Sequence, residues 1–422
     1  MRKTINLFFI AAIILALFLS ACGPGKVNKS RLSRVENPNA PASDLVQLVA
    51  GNTAFAFDLY QAVRASEGNL VYSPYSISLT FAMTYGGARG GTASQMAEVL
   101  HYTLPGDQFH PTFNALDLAR RPDQAVNVAE SERFQLNIAI SLWGQKNWPF
   151  LPEYLDLLAE NYGAGLRLAD FMKASENAGK QINDWVSDQT KKRIQNIIPP
   201  GTVDPATRLV LANAIYFKAF WETRFDAYRT SEERFNLLNA DMVAVQMMTI
   251  GYEETFAYAA GSGWQAISLP YKGGMNDLVV IVPDAGAFES FEAGLTAQPY
   301  NEILAALEPR QVLLSMPKFK FETQSGLNDI LIQMGMRDAF DPTAADFSGM
   351  DGGRDIFISN VLHKAFIAVD EKGTEAAAAT MVAMPASLPS GIILSIDRPL
   401  FFFIRDIPSG TILFMGRVLD PR

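Results

Sequence analysis

The sequence predicts an α+β fold built as one domain behind a polar N-terminal stretch. Helical periodicity dominates the first half of the chain and strand-like runs dominate the second. No internal repeat and no linker interrupts the chain after residue 44. The 422 residues, 49% of them hydrophobic, are enough for one large core, although length alone would also allow two domains.

The elements follow in order. Ser43-Asp44 reads as a helix cap, with Leu45, Leu48 and Val49 behind it at helical spacing. Ser73-Pro74 reads as a second helix start, serine at the cap and proline at the first helical position. Ile77, Phe81 and Tyr85 then share one face. Ile182, Trp185 and Val186 mark another amphipathic helix. Residues 278–282 form a continuous apolar run closed by Pro283-Asp284, and residues 311–316 end at Pro317. Residues 400–404 and 411–415 are two apolar runs joined by a turn at 406–410.

The first residues read as an export signal. Arg2 and Lys3 precede an apolar stretch, residues 5–19, which is shorter than the roughly 20 residues of a spanning helix. Leu19-Ser20-Ala21-Cys22 resembles the bacterial lipobox, in which the thiol is lipidated and the chain is cut just before it. The alternative is a plain signal peptide with an incidental cysteine. Residues 1–21 are thus expected as a signal peptide, 22–44 as a lipidated flexible tether broken by Pro24, Pro38 and Pro41, and 45–422 as the domain. This places the protein outside the cytoplasm, anchored to the cell membrane through Cys22. Cys22 is the single cysteine, so no intramolecular disulfide can form.

The net charge is −9, and Lys191-Lys192-Arg193, the densest basic cluster, reads as a solvated helix face. Nucleic acid is therefore not an expected partner. Catalytic signatures are missing. None of His101, His110 and His363 belongs to H-E-x-x-H, and no zinc spacing, nucleophile elbow or phosphate loop is present. Gly86 to Gly91 is glycine-rich but lacks the dinucleotide order and reads as a turn. The expectation is a protein that is not an enzyme, with no metal and no cofactor. A hydrolase using an unrecognised serine stays open as a rival, since triads are set by geometry.

The unusual segment is 371–390, Glu-Lys-Gly-Thr-Glu-Ala-Ala-Ala-Ala-Thr-Met-Val-Ala-Met-Pro-Ala-Ser-Leu-Pro-Ser. Four successive alanines favour a helix. Yet strand-like sequence flanks it on both sides, at 366–369 and 392–394. Read at a period of two, Thr374, Ala376, Ala378, Thr380, Val382 and Met384 make one small, uncharged face. Such a segment can stand as an exposed loop or slot between two strands, with Gly373 as pivot.

Here the sequence resembles the serpin family. Its hinge pattern is matched by Glu371, Gly373, Thr374 and the short side chains of Ala376, Ala377, Ala378 and Ala379. Residues 69–78 are similar to the family's Phe-Ser-Pro-x-Ser-Ile motif, with Tyr72 replacing phenylalanine. Asn213-Ala214-Ile215-Tyr216-Phe217-Lys218 followed by Trp221 resembles its Asn-Ala-x-Tyr-Phe-Lys-x-x-Trp strand. Leu362-His363-Lys364-Ala365 precedes the hinge, and residues 398–402 and 414–418 resemble the closing strands.

The resemblance implies a serpin fold: helices packed around a large, mostly antiparallel sheet with an exposed reactive loop. It implies an inhibitor acting as a suicide substrate, whose cut loop inserts into the sheet while a serine protease is held as an acyl complex. Ser73, Ser76, Asn213 and His363 match the family's shutter, and Trp221 its breach. The unbroken alanine hinge favours a working inhibitor over a non-inhibitory, binding or chaperone-like member. Spacing from Glu371 puts the cut at Ser387–Leu388; spacing from Pro399 puts it one residue later, where Pro389 would block most proteases. Ala386–Ser387 is the next choice. Small residues before the bond fit an elastase-like or subtilisin-like target, acting on a monomeric inhibitor.

Overall fold

The computed structural model describes residues 26–120, 128–129, 132, 134–374 and 391–422. Among the described residues the first element is a short strand, β1 (Val27–Asn28). Helix α1 (Ala42–Val63), β2 (Leu70–Tyr72), α2 (Pro74–Tyr85), α3 (Gly90–Val99) and α4 (Gly106–Ala119) follow. Then come β3 (Gln135–Gln145), α5 (Pro152–Tyr162), β4 (Leu166–Ala169), α6 (Phe171–Gln189) and β5 (Leu209–Phe220). Five strands lie in succession: β6 (Ser231–Asn236), β7 (Met242–Thr249), β8 (Glu254–Gly261), β9 (Trp264–Pro270) and β10 (Asn276–Pro283). Helices α7 (Phe288–Gly294) and α8 (Ala297–Ala306) lead to β11 (Glu308–Pro317) and β12 (Phe319–Gly326). The rest is α9 (Asn328–Met334), α10 (Ser348–Asp351), β13 (Ile358–Asp370), β14 (Gly373–Thr374), β15 (Ile392–Ser395), β16 (Leu400–Asp406) and β17 (Ile412–Val418).

Among the described residues the main sheet has seven strands, in the order β1-β4-β3-β5-β14-β13-β12. A second sheet runs β2-β17-β16-β10-β9-β8-β11-β7-β6, with β15 beside β11. Most pairs are antiparallel, as the α+β reading with a large, mostly antiparallel sheet expects. The central pair is an exception: β5 and β13 run parallel and bond directly from Leu209 opposite Ile358 to Tyr216 opposite Phe366. Above that point they part, and β14 lies between them. The Phe220 end of β5 is called the upper end below, and the Leu209 end the lower.

The period of two along β5 divides the interior. Leu209, Leu211, Ile215, Phe217 and Ala219 enter the large core between the sheets. Val210, Ala212, Ala214 and Tyr216 face a second cluster beneath α6, with Trp143, Ile182 and Trp185. Both faces of β5 are therefore dry, which the sequence shows as a run with no charge from 209 to 217. Each large side chain buried in this way contributes about 1.5–3 kcal/mol.

Several details depart from the sequence reading. Helix α1 starts at Ala42 on Pro41, and neither Ser43 nor Asp44 caps it; Asp44 sits in the first turn, where its charge complements the helix dipole. The expected tether, 22–44, is docked over much of its described length. Val27 and Asn28 pair with Arg167 and Leu166, Val35 N–H donates to Glu160 O, and Arg34 pairs with Asp117 at 2.8 Å. Main-chain bonds and one ion pair hold it, so a lack of apolar period did not mean a lack of contacts. Lys191 and Lys192 are exposed but stand in left-handed turn conformation after α6, not on a helix face. Gly86 to Arg89 form the expected turn, while Gly90 and Gly91 open α3.

Candidate functional site

Two polar clusters lie along the β5–β13 seam. The lower one joins the start of α2 to the sheet. Ser73 caps α2, accepting from Ser76 N–H. That geometry turns Ser76 Oγ toward Asn213 Oδ1, at 2.8 Å. Asn213 Nδ2 donates to Thr80 Oγ1 at 2.8 Å, and Thr80 donates to Ser76 O. His363 lies opposite Asn213 on β13. Its Nε2 accepts from Ser73 N–H at 3.1 Å, so Nδ1 carries the proton and donates to Asn213 Oδ1, also at 3.1 Å. All of these groups are buried. Burial pulls the His363 pKa down to about 3, so the ring is neutral, and its place here is hydrogen bonding.

The upper cluster holds the start of the segment 371–390. Trp221, at the end of β5, donates from Nε1 to Asp370 O at 2.9 Å and from its backbone to Lys372 O. Its ring stacks on Tyr271 with centroids 4.6 Å apart. The Tyr271 hydroxyl meets Thr374 Oγ1 at 2.7 Å. Thr374 is fully enclosed, paired with Ala219 on one side and Val369 on the other. Gly373 is required beside it, because a Cβ there would stand 2.0 Å from Ala219 O. Glu371 receives Thr230 Oγ1 at 2.8 Å and Lys318 Nζ at 3.0 Å. Burial works against this carboxylate, yet its own N–H, Thr230 and Lys318 together hold it below the ordinary range. Asp370 moves the other way, raised chiefly by burial.

This is a sheet whose two central strands are sealed below by a polar clasp and opened above by the first two residues of a further strand. Comparison with known proteins decides what it is. The family model described as serpin (serine protease inhibitor) matches residues 50–421. The chain belongs to the serpin family. A leukocyte elastase inhibitor of Sus scrofa is 40% identical over 385 residues, covering 89% of this chain and all of that protein. An uncharacterized serpin-like protein of Thermococcus kodakarensis is 38% identical over 87% of this chain and 84% of its own length. Among solved structures, native tengpin, a thermophilic serpin, superposes with a TM-score of 0.80 at 28% identity, covering 94% of this chain and all of that one. Uncleaved ovalbumin gives 0.78 at 27%, covering 89% and 100%.

Ser73, Ser76, Asn213 and His363 meet in the lower cluster; Trp221, Glu371, Gly373 and Thr374 meet in the upper one. Tyr72, the departure from the motif's phenylalanine, buries its ring and donates its hydroxyl to Ala56 O at 2.7 Å. Ala376, Ala377, Ala378, Ala379, Ala386, Ser387, Leu388 and Cys22 lie outside the described residues. Sequence reasoning missed Thr80, Thr230, Tyr271 and Lys318. Thr80 had a signal: it stands one turn after Ser76 on the helix whose start was recognised.

Proposed function

We propose that this serpin is inhibitory and traps an elastase-like or subtilisin-like serine protease by cleavage and insertion of residues 375–387. One observation carries the reading: Thr374 already occupies the first rung of a strand between β5 and β13. It pairs antiparallel with Ala219, so each step forward along the loop meets one step back along β5. Ala376 would meet Phe217, Ala378 Ile215, Thr380 Asn213, Val382 Leu211 and Met384 Leu209. These β5 partners, Asn213 apart, all line the large core. The small, uncharged face of the loop thus falls on the inner side, and Thr380 on the shutter. Pro385 would fall opposite Arg208, just outside β5, where its missing N–H costs no ladder bond.

Insertion exchanges the β5–β13 bonds for two new ladders and buries Val382 and Met384, each worth about 1.5–3 kcal/mol. The leukocyte elastase inhibitors at 38–40% identity support a protease target of the small-pocket class. The reading extends to residues 1–21 as a lipoprotein signal removed just before Cys22, whose acyl chains hold the protein on the outer side of the cell membrane. The test is incubation with elastase and subtilisin. The expected result is a complex that survives boiling in detergent, with a released peptide beginning at Leu388. Cleavage that leaves the protease fully active overturns the inhibitory reading.

A further inference from the structure

The structure fixes where the N-terminal segment leaves the molecule. The register runs across the main sheet as Val27 to Arg167, Arg167 to Trp143 and Trp143 to Val210. Val210 is the second residue of β5, so β1 lies level with the lower end of the sheet. Strand directions place Lys26 lower still. β5 runs upward, β3 is antiparallel to it, β4 is parallel to β3, and β1 is antiparallel to β4. Lys26 is held there by its carbonyl, which accepts from Leu168 N–H at 2.9 Å. Four residue steps separate Lys26 from Cys22, a reach of at most about 14 Å. The twelve residues of β5 span roughly 40 Å. Cys22 therefore stays near the lower end and cannot reach the end where Thr374 enters the sheet.

The segment that climbs from this end along the sheet edge, from Lys26 past β1 to Val35 beside Glu160, has its own character. Lys26, Lys29 and Arg31 are exposed, and none has an ion-pair partner among the described residues. Lys146, just below β3, is exposed as well. Arg34 is excluded from this set, being taken up by Asp117 and Asn114. The nearby Asp170 is engaged at the start of α6 by Lys173 N–H and Gln145. Interleaved with the cations are Val27, Leu32 and Val35, which are 37%, 48% and 41% exposed. Free cations alternating with exposed apolar side chains match the boundary of an anionic bilayer, where one set meets headgroups and the other acyl chains. They stand out on a chain of net charge −9.

We propose that the lower end, built around β1, lies against an anionic lipid surface and holds the reactive end of the serpin away from the membrane. The tethering half of this idea rests on the reading of Cys22 as lipidated; the surface half does not.

The test has two arms. In the first, the mature chain carrying Cys22→Ser is floated with vesicles of phosphatidylcholine containing about 30% phosphatidylglycerol, and with phosphatidylcholine alone. Binding to the anionic vesicles should be about tenfold or more stronger, and should be lost in the K26E/K29E/R31E variant at an unchanged melting temperature. Equal binding to the two vesicles, or undiminished binding by the variant, overturns the surface. In the second arm the acylated full chain is reconstituted into the anionic vesicles with a dye on Ala206→Cys or Glu222→Cys, exposed positions beyond the two ends of β5. Energy transfer to a membrane acceptor should be strong from position 206 and weak from 222. Equal transfer overturns the orientation. An N-terminal peptide mass without acyl chains overturns the lipidation reading alone, and the first arm still decides the surface.

Discussion

The hydroxyls of Tyr271 and Thr374 meet at 2.7 Å, and both residues are sealed from solvent. One partner is fixed: the Tyr271 ring stacks on Trp221 and meets Phe217 edge-on at 5.2 Å. The other partner is the last described residue before the loop. The bond therefore marks whether the hinge is seated in the sheet. It also explains why a threonine suits this rung better than a larger polar side chain. The hydroxyl is small enough for the slot and has one hydroxyl partner waiting.

Tyr271→Phe should unseat the hinge without disturbing the fold. The Thr374 hydroxyl would be left buried and unpaired, at a cost of about 1–3 kcal/mol. Hydrogen exchange at the Thr374 amide should speed up by about tenfold or more, while amides beside Asn213 keep their protection. Unchanged exchange at Thr374 would show that backbone pairing alone holds the hinge.

Thr374→Arg acts at the same rung with the opposite emphasis. A guanidinium cannot enter the dry space under Tyr271 without a partner. The loop should then be cut at a normal rate but fail to insert promptly. The gel assay should show cleaved inhibitor and free protease where the parent shows complex. A variant that still forms complex quantitatively would mean that insertion does not begin at Thr374.

The lower cluster was legible because its residues sit inside recognisable strings: Ser73 and Ser76 in one motif, Asn213 in another, His363 before the hinge. Their geometry follows once Ser73 caps α2. The upper cluster was half legible. Trp221 was carried by its resemblance to the family's strand motif, but Tyr271 follows an ordinary Pro270 and carries no mark of its own. Lys318 and Thr230 are likewise common surface residue types until the fold brings them to Glu371. The docking of β1 was invisible for a different reason. Two residues bonding through the backbone leave no hydrophobic pattern, so composition read the segment as free.

Two buried histidines set an acid limit. His363 and His110 are pulled by burial to about 3 and about 4, while the unfolded chain titrates them near 6.5. A folded pKa below the unfolded one means that the unfolded state binds more protons between the two values. Their stabilisation is complete above pH 6.5 and is lost as the pH falls toward 3–4. From pH 7 to pH 5 the loss is about 2 kcal/mol per histidine. Thermal melts of the uncleaved protein should show it. His363→Gln, whose amide can both accept from Ser73 and donate to Asn213, should remove about half of this pH dependence. An equal slope in the variant would place the acid sensitivity elsewhere.

Thr380 tests the register itself. If the strand continues from Thr374 at constant pairing, Thr380 arrives opposite Asn213 and on its side of the sheet. There it parts His363 from Asn213, which now bond directly. The Thr380 hydroxyl can accept from His363 Nδ1 and donate to Asn213 Oδ1, restoring what the separation breaks. Valine has the same shape and neither capacity. Thr380→Val should therefore leave the uncleaved protein's melting temperature unchanged, because Ser73, Ser76 and Thr80 complete the lower cluster without residue 380. The loop-cleaved form should lose about 1–3 kcal/mol, the cost of a buried unpaired donor. Calorimetry on both forms separates the two states. A cleaved variant as stable as the cleaved parent would mean that the loop inserts in another register or not at all.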